Sequence, residues 1–157
     1  MSVLVAYFTA SGAGVTEKLA KRIASLTGGT LYQIKPETPY TKADLDWTTK
    51  ASRSSVEMAD KDCRPALADN DAPVADADVV YIGYPVWWYR EPSIIDTFAA
   101  AYDFSGKKIV LFATSGSSDI GTEAGERIEA ITGVKVSGAK RFAASVSDEQ
   151  LKAWAQF

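Results

Sequence analysis

The chain has 157 residues, 46% of them apolar and 24% charged, with 17 basic and 20 acidic side chains. That size and balance describe one domain over residues 1–157, large enough to bury a core without a disulfide or metal staple. Histidine is absent and Cys63 is the single cysteine, which excludes Ser-His-Asp and Cys-His catalysis, His-ligated metals, CxxC pairs and any intrachain disulfide. Chemistry is left to carboxylates, hydroxyls, aromatic rings or a bound cofactor. The net charge of -3 offers nothing to nucleic acid or to an anionic membrane, and no apolar run approaches the roughly 20 residues that span a bilayer. One reduced cysteine fits the cytoplasm.

The opening apolar run is too short, and lacks the basic leader, for a signal peptide; Val3 to Phe8 reads as a strand covered on both faces. Leu19, Ile23 and Leu26, with Ala20 and Ala24, share one helical face from Thr16 to Leu26, and Gly28-Gly29 stops that helix. Leu31 to Ile34 makes a second short strand. From Lys35 to Asp76 the chain is polar, admitting only short helices around Lys42 to Lys50 and Ser54 to Asp60; a connection this long is usually functional or mobile. Asp78 to Tyr84 is a third strand, Ser93 to Tyr102 a helix with Pro92 ahead of its first turn, and Lys108 to Thr114 a fourth strand. A helix carrying Ala124, Ile128 and Ile131 on one face ends at Gly133; Val134 to Phe142 is a weaker fifth strand. Ser147 and Gln150 form a capping box for a last helix, Asp148 to Gln156.

Strands alternating with helices imply right-handed crossovers and a doubly wound five-stranded parallel α/β sheet. Ligands in such sheets sit beyond the carboxyl ends of the strands, where the strand order reverses. Three loops lie there. After the first strand come Thr9, Ala10, Ser11, Gly12, Ala13, Gly14, Val15 and Thr16, with three hydroxyls, two glycines and no charge. Amides at a helix start, the helix dipole and such hydroxyls can envelop a phosphate without a lysine. The loop is neither a Walker loop nor a GxGxxG fingerprint. After the third strand, Pro85, Val86, Trp87, Trp88 and Tyr89 offer flat aromatic surface for a ring. After the fourth, Thr114, Ser115, Gly116 and Ser117 supply hydroxyls and amides for a heterocycle edge. Singly, each is an ordinary turn or cap. Together they describe a phosphate pocket, an aromatic wall and a polar rim, which suits a planar heterocycle carrying one phosphate, such as FMN.

The segments YFTASGAGVTEKLAKRIA, IKPETPYTKADLDW, SRSSVEM, RPAL, IGYPVWWY and TFAAAYDFSGKKIVLFATSG resemble flavodoxins, in particular the flavodoxin-like group with a YPxWW loop. The likeness runs from about residue 2 to 121. It implies a flavodoxin-like sheet of order 2-1-3-4-5 and non-covalent FMN, its phosphate on Thr9, Ser11, Gly12, Thr16 and the amides between, its isoalloxazine between Pro85 to Tyr89 and Thr114 to Ser117. Ala13-Gly14 lengthens the family's usual phosphate loop by two residues. The amides of Trp87 to Arg90 are the expected neighbours of flavin N5, and carboxylates such as Glu91 would disfavour an anionic reduced flavin, hence a low potential.

The leading expectation is an electron shuttle, a monomer or weak dimer, between a donor and an acceptor redox protein. An FMN-dependent NAD(P)H quinone or azo reductase is the alternative, with the 35–76 segment, Trp47 and Arg53 as its second pocket; an apo phosphate-binding module is the third. Receiver-domain chemistry fails because Thr9 and Pro85 stand where acidic residues are needed, and a phosphatase fails because Cys63 is far from the phosphate loop. Cys63 reads as a free thiol, Asp44, Asp46, Asp60 and Asp62 as a solvated face without calcium-loop spacing, and Arg53 as a loop anchor more than a ligand contact.

Overall fold

The three central strands, residues 3–7, 79–85 and 108–114, are apolar on both sides because helices cover both faces of the sheet. The computed structural model describes residues 2–9, 14–46, 48–60, 62–87, 90–114 and 123–155. Along the chain run β1 (Val3–Tyr7), α1 (Val15–Thr27), β2 (Thr30–Gln33), α2 (Arg53–Ala59), β3 (Val79–Pro85), α3 (Ser93–Ala101), β4 (Lys108–Thr114), α4 (Glu123–Thr132), β5 (Val136–Phe142) and α5 (Asp148–Trp154). The strands form one sheet of order β2-β1-β3-β4-β5, parallel at every pairing. This is the doubly wound arrangement and the order expected from the sequence.

Side chains alternate along each strand. Leu4, Ala6, Val80, Ile82, Ile109 and Leu111 enter one core with Ile94, Ile95 and Phe98 of α3, whereas Val5, Tyr7, Tyr81, Val110 and Phe112 enter the other with Leu19 and Ile23 of α1 and Leu151 of α5. Gly83 is required by packing: a Cβ there would lie 2.1 Å from the ring of Phe112 on the neighbouring strand. Gly28 closes α1 in the left-handed region at φ 71°, its N–H returning to Ala24 O. The capping box at Ser147 and Gln150 is formed.

The long connection departs from expectation over Lys42 to Lys50, where its described residues make successive turns and no helix. Asp44 and Asp46 capture local donors, with Thr41 N at 2.9 Å from Asp44 and Thr48 N at 3.0 Å from Asp46, and such side-chain bonds compete with helical ones. The segment is nonetheless tied to the body: Pro36 bridges Leu67, and the Tyr32 hydroxyl donates to Asp69. β5 begins at Val136, two residues later than its apolar run begins. No helix among the described residues is long and apolar enough to cross a membrane.

Candidate functional site

The sheet order reverses between β1 and β3, and the parallel neighbours β1, β3 and β4 end on the same side of the sheet. Phe8 N donates to Gly83 O at 2.9 Å, and Val86 N donates to Thr114 O at 3.0 Å, which carries the pairing of the strands one residue past their ends. Thr9, Gly14, Val15, Thr16, Pro85, Val86, Trp87 and Thr114 are thereby gathered at one end of the sheet. Ser11, Gly12, Ala13, Trp88, Tyr89, Ser115, Gly116 and Ser117 lie outside the described residues.

Gly14 sits in the left-handed region at φ 62° as the N-cap of α1 and offers no side-chain cap. The first-turn amides of a helix have no partner within it, so those of Val15 and Thr16 point out of α1 toward the loop, where the helix dipole favours an anion. Thr16 is buried, and its hydroxyl lies 2.8 Å from that of Thr114. Glu17 is drawn aside: its carboxylate accepts from the Tyr7 hydroxyl at 3.0 Å and stands 3.7 Å from Lys21 Nζ. Burial, then the Glu17 contact, pushes the Tyr7 phenol up to about 12.

The aromatic wall is built from three parts of the chain. Trp87 meets Phe8 edge to face at 5.7 Å and Tyr40 at 5.5 Å, and Phe8 meets Tyr40 at 5.8 Å. Tyr40 comes from the long connection and was not among the residues expected here; its one sequence signal is its place in a segment too long to be a plain loop. It is held by its hydroxyl, which donates to Glu57, and by Arg53, whose guanidinium lies 3.9 Å above its ring. Arg53 also donates to Glu57 at 3.0 Å and to Thr38 O at 2.7 Å. It is an anchor, as its sequence context suggested.

Trp87 and Arg90 exchange both backbone bonds, each N–H reaching the other's carbonyl at 3.0 Å. The amides of Trp87 and Arg90, expected beside flavin N5, are thus engaged with each other, and residues 88 and 89 lie outside the described residues. Glu91 needs a second correction. It is completely buried with Asp96 beneath the turn, and Arg127 of α4 reaches both carboxylates at 2.7 Å. Burial first, then Asp96, pushes its carboxyl up to about 9. Glu91 is therefore no exposed negative charge at the rim.

The profile of a protein family described as Flavodoxin matches residues 2–157. A provisionally assigned flavoprotein of Bacteroides uniformis is 43% identical, with 99% of this chain and 98% of that one covered and a TM-score of 0.90. Its counterpart from Bacteroides eggerthii is 40% identical over 98% and 94%, with the same TM-score of 0.90. A flavoprotein from Lactobacillus acidophilus, solved in complex with FMN, is 21% identical over 99% of each chain at a TM-score of 0.70, a likeness of fold. Comparison with curated proteins gave no match.

Proposed function

The chain belongs to the flavodoxin family, and from that premise we propose that it binds FMN non-covalently at the β1–β3 switch and carries electrons at low potential between two redox proteins. The observation that supports this most is the glycine-capped start of α1 beside the buried Thr16–Thr114 hydroxyl pair, 2.8 Å apart. A terminus with free amides, flanking hydroxyls and no side-chain acceptor fits a phosphate dianion. Flavodoxin is itself a standard illustration of ligand binding at the switch point, so this placement is the family's property.

In this reading Thr9, Thr16 and the amides of residues 11–16 hold the phosphate, while Trp87 and its neighbours 88–89 flank the ring with residues 114–117 opposite. When bound, FMN supplies two one-electron steps. The chain's contribution is orientation, exclusion of water and electrostatics. Among the described residues near the wall, Arg53 faces Glu57, and Arg90 and Arg127 face Glu91 and Asp96. At the wall itself the Arg53 cation is matched by the Glu57 carboxylate, and a reduced anion against an apolar wall is disfavoured.

The alternative, an NAD(P)H-dependent quinone or azo reductase, needs a second pocket with a cation for the dinucleotide phosphates. Arg53, the residue best placed to supply it, is committed to Glu57, Thr38 and Tyr40, which favours the carrier. The test is FMN titration of apoprotein by flavin fluorescence, followed by NADPH oxidation and a redox titration. A carrier gives tight FMN binding, negligible steady-state NADPH oxidation and a reduced couple below that of free FMN. No binding would refute the cofactor; rapid NADPH turnover with a quinone would refute the carrier.

A further inference from the structure

Glu91 and Asp96 are both without solvent exposure. Glu91 directly follows the Trp87–Arg90 turn, and Asp96 stands in the first turn of α3. Arg127 donates from Nε to Glu91 Oε1 and from its terminal nitrogen to Asp96 Oδ2, each at 2.7 Å. Arg90 approaches the same two oxygens only to 4.0 and 3.7 Å, and it donates instead to the carbonyls of Glu91 at 3.2 Å and Met58 at 3.0 Å. Arg64 stands 3.9 Å from Asp96 Oδ2 and is partly exposed. Arg127 and Arg90 thus both reach Glu91 through Oε1 and Asp96 through Oδ2.

The other oxygens, Glu91 Oε2 and Asp96 Oδ1, are buried and have no hydrogen-bond partner among the described residues. One guanidinium, that of Arg127, bridges the two carboxyls at 2.7 Å each and so sets them side by side. Two buried acceptors side by side without a donor repel, and each has lost its water without gaining a partner. One proton converts that pair into a donor and an acceptor. The remaining neighbours are the Tyr84 hydroxyl on β3, buried and likewise unpartnered among the described residues, and the Cys63 thiol, which feels Arg90.

We propose that Glu91 and Asp96 hold one shared proton at neutral pH, between Glu91 Oε2 and Asp96 Oδ1, and that this pair is the positioning element of the Trp87–Arg90 turn. Arg90 pairs with Trp87 through its backbone and precedes Glu91 in the chain, so moving Glu91 away from Asp96 moves the turn. Loss of the proton leaves two buried carboxylates side by side and drives that movement. The link to a bound ring rests on the function proposed above; the proton site does not.

The test uses apoprotein, so it stands apart from the cofactor. Carboxyl-carbon NMR of Glu- and Asp-labelled protein is expected to show one buried protonated carboxyl at pH 7 that titrates near pH 9, with the amides of Trp87 and Arg90 shifting at the same midpoint. Glu91→Gln resembles the protonated acid in shape and donor, so it should match or exceed the wild type in Tm at pH 7 and abolish the alkaline step in those amides; Asp96→Asn should abolish it too. Two ionised carboxyls at pH 7, or a Tm of Glu91→Gln well below wild type there, would overturn the proposal. Should either variant not fold, the wild-type titration decides alone. A proton observed in a protein that ignores FMN would refute the proposed function and leave the pair standing.

Discussion

The hydroxyl oxygens of Thr16 and Thr114 lie 2.8 Å apart in a buried contact, although 98 residues separate them. Thr16 opens α1 and Thr114 ends β4, so this one bond fastens the first loop of the site to the third. Replacing either by valine keeps the shape and leaves the other hydroxyl without its partner. Thr16→Val or Thr114→Val should lower stability by about 1–3 kcal/mol in urea unfolding, and the double variant should lose less than the sum. FMN affinity should fall in Thr16→Val more than stability alone explains.

Gly14→Ala tests the loop. An L-residue at φ 62° is strained, by about 1–2 kcal/mol. The expected outcome is a drop in FMN affinity with riboflavin affinity nearly unchanged, because the strain falls on the phosphate amides. Calorimetry with both ligands reads the difference, and an equal loss for both would place the phosphate elsewhere.

Gly83→Ala should be far more damaging. Its new methyl would overlap the Phe112 ring at 2.1 Å, and the strand cannot move away because Gly83 is paired on both sides, with Tyr7 and Phe112. Overpacking of this kind costs about 1–3 kcal/mol or more. The double variant with Phe112→Leu should recover part of the lost Tm.

Removing the Arg53 guanidinium takes the cation from above the Tyr40 ring and from Glu57, leaving the direct Tyr40–Glu57 hydrogen bond in place. Arg53→Met, which preserves the stem, should destabilise by about 1 kcal/mol and increase quenching of tryptophan emission by acrylamide as Trp87 loses its cover. Unchanged quenching would mean that the Glu57 bond and the ring contacts with Phe8 and Trp87 hold Tyr40 without Arg53.

Tyr7 predicts an alkaline limit. Its folded phenol is raised from 10.0 to about 12 by burial and Glu17. The unfolded chain therefore releases this proton first, so the contribution is whole below pH 10 and is lost as pH rises through about 12. Tyr7→Phe should flatten the fall of stability over that window in urea titrations at fixed pH.

The alternation of strand and helix was legible because both-face burial makes strands uniformly apolar and amphipathic helices periodic, signals that are local. So were the three loops, since hydroxyls, glycines and tandem tryptophans after strands are contiguous in the chain. Lys42 to Lys50 misled because helical composition competes there with Asp and Thr side chains that prefer local turns.

By itself the sequence determined the class of fold and the exclusion of histidine and disulfide chemistry, and it pointed to the end of the sheet where the candidate site is proposed. Only the tertiary structure decided that Tyr40 joins Trp87 in the aromatic wall and that Arg127 reaches Glu91 and Asp96 in the core. The reason is physical: these facts depend on partners 31 to 47 residues apart, whose meeting is set by crossover connections and strand order, and no local pattern of residues records which distant side chain will arrive.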